Sequence, residues 1–119
     1  MHFQLPPADH TKLVYVSRGS ILDVVIDIRK ASPTYGKAYS VILSEDEDKY
    51  LYIPRGFAHG FLSLADGSIV NYAQTSVYSP THDCGILATA CGVSWPVDNP
   101  IFSQRDMNFE SLGQFKSPF

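Results

Sequence analysis

From residue 12 to residue 78 the chain repeats one pattern: short runs of Val, Ile, Leu and Tyr, each closed by Gly, Pro, Asp or Ser. The runs at 12–18, 21–29, 38–43, 49–53 and 69–78 predict β-strands, because β-branched and aromatic side chains suit a pleated surface. Breakers separate them at Arg18-Gly19-Ser20, Ser32-Pro33-Thr34-Tyr35-Gly36, Pro54-Arg55-Gly56, Ala65-Asp66-Gly67 and Ser79-Pro80. Asp66-Gly67 is the strongest single turn signal. No stretch carries convincing helical periodicity. The pattern therefore predicts an all-β sandwich or barrel, with a loop-like tail over 99–119 and one short helical turn near 105–112.

Alternation within 21–29 places Asp23, Val25, Asp27 and Arg29 on one face and Ile21, Leu22, Ile26 and Ile28 mostly on the other. One face is then apolar, and the other meets either solvent or a polar cavity such as a ligand-holding barrel interior. With 119 residues the chain is expected to form a single domain over 1–119. A net charge of -3 argues against nucleic-acid binding, although a local basic cluster can still hold one or two phosphates. The acidic run Ser44-Glu45-Asp46-Glu47-Asp48 reads as a solvated loop. Cys84 and Cys91 form no metal or disulfide pattern and read as idle thiols. The opening residues do not resemble a signal peptide and no apolar run reaches bilayer length, which predicts a cytoplasmic protein without membrane contact.

Pro54-x-Gly56-x-x-His59 sharpens the choice of barrel. A Pro-x-Gly turn that delivers an inward His resembles the second motif of cupin barrels. The first cupin motif, with its His-x-His and Glu metal ligands, has no counterpart. His2, His10, His59 and His82 form no pair at metal-ligand spacing, so no metal is expected.

A wider likeness runs through the chain in order: His2-Phe3-Gln4-x-Pro6-Pro7, Lys12-Leu13-Val14, Gly19-x-x-x-Asp23-Val24-Val25-x-Asp27-x-Arg29, Ser32-Pro33-Thr34-Tyr35-Gly36-Lys37, Ile53-Pro54-x-Gly56-Phe57-Ala58-His59-Gly60-Phe61 and Trp95-Pro96. These blocks resemble the dTDP-4-dehydrorhamnose 3,5-epimerase family. The resemblance implies a cupin-type jelly-roll β-barrel. It also implies cofactor-free epimerisation of a nucleotide-linked 4-keto-6-deoxyhexose. Hydrogens flanking the ketone are acidic, so this chemistry needs a base on one face, support for an enolate oxygen, and an acid on the other face.

By the same resemblance His2 is the base and Lys12 holds the developing oxyanion. His59 supports that oxygen, and either Tyr72 or Tyr78 is the acid, their six-residue spacing keeping both on one side of a regular strand. Asp106, in Ser103-x-x-Asp106, matches the carboxylate that pairs with the base. Gln4, Asp23 and Arg55 are the implied substrate contacts. The implied partners are a dTDP-linked sugar and a second copy of the chain.

The sequence departs from the family in two places. The residues that the family carries before its His motif have no counterpart, so His2 is expected to be mobile unless another chain covers it. After Gly85-Ile86, Leu87-Ala88 replaces an aromatic step. Two alternatives stand beside the enzyme: a sugar-nucleotide-binding cupin or partner subunit without turnover, and a metal-dependent cupin.

Overall fold

The computed structural model describes residues 1–119. Eight strands form: β1 (His2–Gln4), β2 (Lys12–Arg18), β3 (Ser20–Asp27), β4 (Ala38–Ser44), β5 (Leu51–Ile53), β6 (Phe57–Ser63), β7 (Ile69–Gln74) and β8 (Asp83–Gly85). They pair antiparallel in a five-stranded sheet, β4-β3-β6-β1-β8, and a three-stranded sheet, β5-β2-β7. A single 3-10 turn (Ala88–Ala90) and one short helix, α1 (Gln104–Met107), complete the regular structure. The all-β expectation holds. No helix is long and apolar enough to cross a membrane.

The five predicted strands all form, with shifted ends: β3 stops at Asp27, β5 is cut to Leu51–Ile53 and β7 ends at Gln74. β1 and β8 have no counterpart in the sequence reading, and β6 is implied there only by the inward His59. Three residues are too few to display alternation. These strands exist because their neighbours pair with them.

β1 corrects the expectation of a mobile His2. It lies between β6 and β8, with His2 opposite His59 on one side and opposite Gly85 on the other. Met1 and Phe3 are each only 4% exposed, so the strand is held by packing as well as by its ladder.

The two faces of β3 also differ from expectation, because both are buried. Val24, Ile26 and Ile28 join Phe3, Ala58 and Ile86 in a core capped by Trp95, Phe102, Leu112 and Phe115 from the tail. Ile21, expected on the face of Ile26, instead shares the face of Asp23 and Val25, as a period of two requires; Ile21 and Val25 face the other sheet and pack with Val14, Val16, Leu43 and Ile53. Fully burying each such side chain contributes roughly 1.5–3 kcal/mol. Asp23 and Asp27 sit on that second, inter-sheet face at 0% and 1% exposure. Neither meets solvent, because each has found partners. Asp27 accepts from Arg29 Nε and Nη2, Ser32 Oγ and Thr34 Oγ1, and these donors hold its carboxyl well below the usual range.

The turn before β6 shows why its glycine is needed. Gly56 adopts φ +79°, which a side chain resists, and a Cβ there would also run into the stem of Arg29. This turn ends β5 and reverses the chain so that His59 points inward.

Candidate active site

Residues directly opposite on paired strands share a face, so the ladders fix which side chains meet. His2 opposes His59, and His59 opposes Val25, which puts Asp23 on the same inner face two positions away. In the smaller sheet Lys12 opposes Gln74 and Val14 opposes Tyr72, so Lys12, Tyr72 and Gln74 share its inner face. Between these groups lies a cavity of about 360 Å³. His2, Lys12, His59, Tyr72 and Asp106 line it together, and Trp95, Ile101 and Phe102 supply an apolar wall.

His2 Nε2 lies 2.5 Å from Asp106 Oδ1, while Nδ1 makes no hydrogen bond within the chain. Asp106 is fixed by its own backbone: Ser103 caps α1, its Oγ accepting from the Asp106 N–H at 3.1 Å. An ionised Asp106 accepts a hydrogen bond from Nε2–H, which fixes the tautomer with its lone pair on Nδ1. Burial lowers the His2 pKa from its ordinary value, and Asp106 opposes that shift. For Asp106, burial acts upward, but the bonds from Ser103 and His2 together bring its carboxyl lower than usual. The ring is thus a neutral base at neutral pH.

His59 Nε2 contacts both oxygens of Asp23, at 2.9 and 3.0 Å, deep in the sheet. Burial lowers the His59 pKa and the Asp23 carboxylate acts against it. Asp23 stands behind His59 and does not itself reach the cavity. Lys12 makes no ion pair, and burial lowers its pKa below that of a free lysine. Asp83 and Asp23 act against that shift without pairing directly with Lys12, which leaves its ammonium on the cavity wall free of a direct anion partner. The Tyr72 ring meets the His59 ring edge to face at 5.8 Å, which bridges the two sheets. Burial raises its pKa, so it stays a neutral phenol able to donate.

The remaining predicted residues lie elsewhere. Tyr78 is not on the strand of Tyr72, since β7 ends at Gln74, and the spacing argument fails there. It is largely exposed, and its hydroxyl donates to Asp83 Oδ2 at 3.0 Å. It does line a second cavity of about 200 Å³ that also touches His2 and Lys12. Gln4 is committed inside the protein: Nε2 donates to Ala8 O at 2.7 Å, and Oε1 accepts from Ser79 N at 2.6 Å. Arg55 is mostly exposed, 3.7 Å from Asp9, and is absent from the main cavity wall. No cluster of three or more His, Cys, Asp or Glu side chains forms.

Sequence reasoning missed Gln74, Ile101 and Phe102 as cavity residues. Gln74 was within reach, being two residues after Tyr72 on one strand. Ile101 and Phe102 lie in an irregular segment with no periodicity to read.

A sequence profile described as dTDP-4-dehydrorhamnose 3,5-epimerase matches residues 1–114. A dTDP-4-dehydrorhamnose 3,5-epimerase of Sinorhizobium fredii is 39% identical over all of this chain and 63% of its own length. The crystal structure of the Bacillus anthracis enzyme of that name, with TDP and PPi bound, superposes with a TM-score of 0.90 at 42% identity, covering 92% of this chain and 64% of that one. The Legionella pneumophila dTDP-6-deoxy-D-glucose-3,5-epimerase, in complex with dTDP-4-keto-L-rhamnose, gives a TM-score of 0.90 at 33% identity, over 97% and 62% of the two chains. The fold is therefore the cupin-type jelly roll of these epimerases. The chain spans about three-fifths of the length of the curated relatives it matches.

Proposed function

Since this chain belongs to the dTDP-4-dehydrorhamnose 3,5-epimerase family, we propose that it epimerises a dTDP-linked 4-keto-6-deoxyhexose beside its ketone, in deoxysugar biosynthesis. The observation that carries this reading is the convergence of His2, Lys12, His59 and Tyr72 on one cavity. The complex of the Legionella pneumophila relative with dTDP-4-keto-L-rhamnose supports the substrate class.

His2 Nδ1 takes the proton from the carbon next to the ketone, and Asp106 stabilises the imidazolium that results. The electron pair moves onto the ketone oxygen, where the Lys12 ammonium meets the developing charge, with His59, held on Asp23, lining the wall beside it. Tyr72 returns a proton to the opposite face, the enolate collapses to the ketone, and the carbon is inverted. The phenol is then reprotonated from solvent and His2 releases its proton, so atoms and charge balance. Asp23 acts through His59, Tyr78 flanks the site beside the second cavity, and Gln4 and Arg55 act outside the chemical step.

In deuterium oxide the full chain given dTDP-4-keto-6-deoxyglucose should place deuterium at the carbons flanking the ketone, and His2→Ala should abolish this. Undiminished exchange in His2→Ala would remove it as the base. Binding without exchange in the wild type would leave a binding protein in place of an enzyme.

A homodimer and a cytoplasmic location complete the proposal. β4, β5, β7 and β8 each leave one edge unpaired, and a second copy is the simplest cover. A monomer in light scattering at micromolar concentration overturns the dimer. Two free thiols, Cys84 and Cys91, suit a reducing compartment.

A further inference from the structure

One contact to His2 has no place in the chemistry above. The His2 ring meets the Phe109 ring nearly at right angles, with 83° between the planes and 5.2 Å between centroids. Phe109 can stand there only because β8 offers it bare backbone. Gly85 is the residue directly opposite His2, and a Cβ on it would lie within 2.7 Å of three Phe109 ring carbons. Its φ is not in the left-handed region, so conformation does not demand glycine at this position; room for the ring does.

The segment carrying Phe109 is fastened to β8 once and to the residue two past its end once, and is braced internally. Arg105 pairs with Asp83, two residues before Gly85 and on the same face. The Arg105 guanidinium also lies 5.5 Å from the Phe109 ring centroid. Beyond the ring, Leu87 N donates to Glu110 O at 2.8 Å. Asp106 lies between Arg105 and Phe109, so the segment that delivers the carboxylate also delivers the aromatic edge.

A hydrogen bond at Nε2 alone holds one atom and leaves the imidazole free to tilt about it. Proton transfer from carbon depends on the direction of the Nδ1 lone pair, so tilt matters as much as distance. A perpendicular ring edge removes that second freedom. We propose that Phe109, seated on Gly85, is a positioning residue that sets the tilt of the His2 ring, an inference that rests on the epimerase reading of His2. The ionisable groups around that ring are Asp106 and Arg105 from the α1 segment, Asp83 on β8, His59 on β6, Lys12 on β2 and the amino group of Met1.

The test is proton–nitrogen correlation NMR of the His2 imidazole in the full chain, with deuterium exchange measured in parallel. The wild type should show one tautomer, protonated at Nε2. Phe109→Ala should mix the tautomers and move the titration toward that of a free histidine. It should also slow exchange about tenfold to a hundredfold in kcat with KM little changed. Phe109→Tyr should restore both readouts, and Gly85→Ala should reproduce the defect while Phe109 is still present.

A folded Phe109→Ala chain with the wild-type tautomer and exchange rate overturns the proposal. If that variant does not fold, Phe109→Leu, which keeps apolar volume and loses the flat edge, is judged by the same readouts. The imidazole spectrum needs no substrate. A wild type silent in exchange therefore counts against the epimerase reading, and the tautomers still decide the role of Phe109.

Discussion

His2 with Asp106 and His59 with Asp23 are the same chemical pair in two settings. In each, Nε2 faces a carboxylate and Nδ1 has no partner in the chain. The side chains of the first pair are 34% and 25% exposed, and those of the second 3% and 0%. The first joins a strand to a short helix from the tail, and the second joins β6 and β3 inside one sheet. Burial lowers both histidine pKa values. What differs is the consequence of losing a partner: water can reach the first carboxylate, whereas the second would be left charged in a dry interior.

The largest effect expected follows from His2→Ala, which should cut deuterium exchange by about 10³-fold, within the range that a general base contributes. Its stability in urea should change by less than about 1 kcal/mol. The converse holds for the buried pair: His59→Ala should cost about 3 kcal/mol in urea unfolding, because Asp23 is stranded, and a loss as small as that of His2→Ala would break the contrast. Asp106→Asn comes next, with exchange slowed about a hundredfold and stability nearly unchanged. Asp106 acts to raise the His2 pKa, so the acid limb of its pH profile should move to lower pH, and a move upward would contradict the pairing.

A pH test of stability is subtler. A histidine whose folded pKa is lowered stabilises the fold above its ordinary value near 6.5 and loses that contribution as pH falls toward the lowered value. Urea stability should therefore decline from about pH 7.5 to about pH 5.5. Most of the decline should survive in His2→Ala, because the more buried ring carries it. The smallest effect belongs to Tyr78→Phe, which removes one exposed bond to Asp83. It should shift stability by less than about 0.5 kcal/mol and slow exchange less than Tyr72→Phe does.

Much of this contrast was legible in the sequence, but unevenly. Longer strands such as β2, β3 and β7 announce themselves through composition and alternation, whereas the seven-residue β6 was marked only by its inward His59. β1 and β8, at three residues each, carry no such signal and are defined by what pairs with them. Residues of the candidate site on well-marked strands, Lys12 and Tyr72, fall where the reading put them. Tyr78 does not, because a strand end cannot be located from β-propensity alone. Asp23 and Asp27 looked like a wet face because sequence shows charge and not its partners. Their partners, His59 for one and Arg29 with Ser32 and Thr34 for the other, lie where only the fold brings them together. Phe109 was invisible for the same reason, since its seat on Gly85 is a relation across the chain.

His2 and Asp106 are 104 positions apart in the chain, and His2 reaches its ladder partners only across β6 and β8. A pair that distant has a high cost of loop closure and cannot help to nucleate the barrel. The sheets must be largely formed before the base meets its carboxylate. The order of assembly expected from this separation runs from scaffold to site: the buried pair can close with the β3–β6 ladder, while the His2–Asp106 pair is completed last. A partly folded chain of this kind would have its barrel and lack the His2–Asp106 contact.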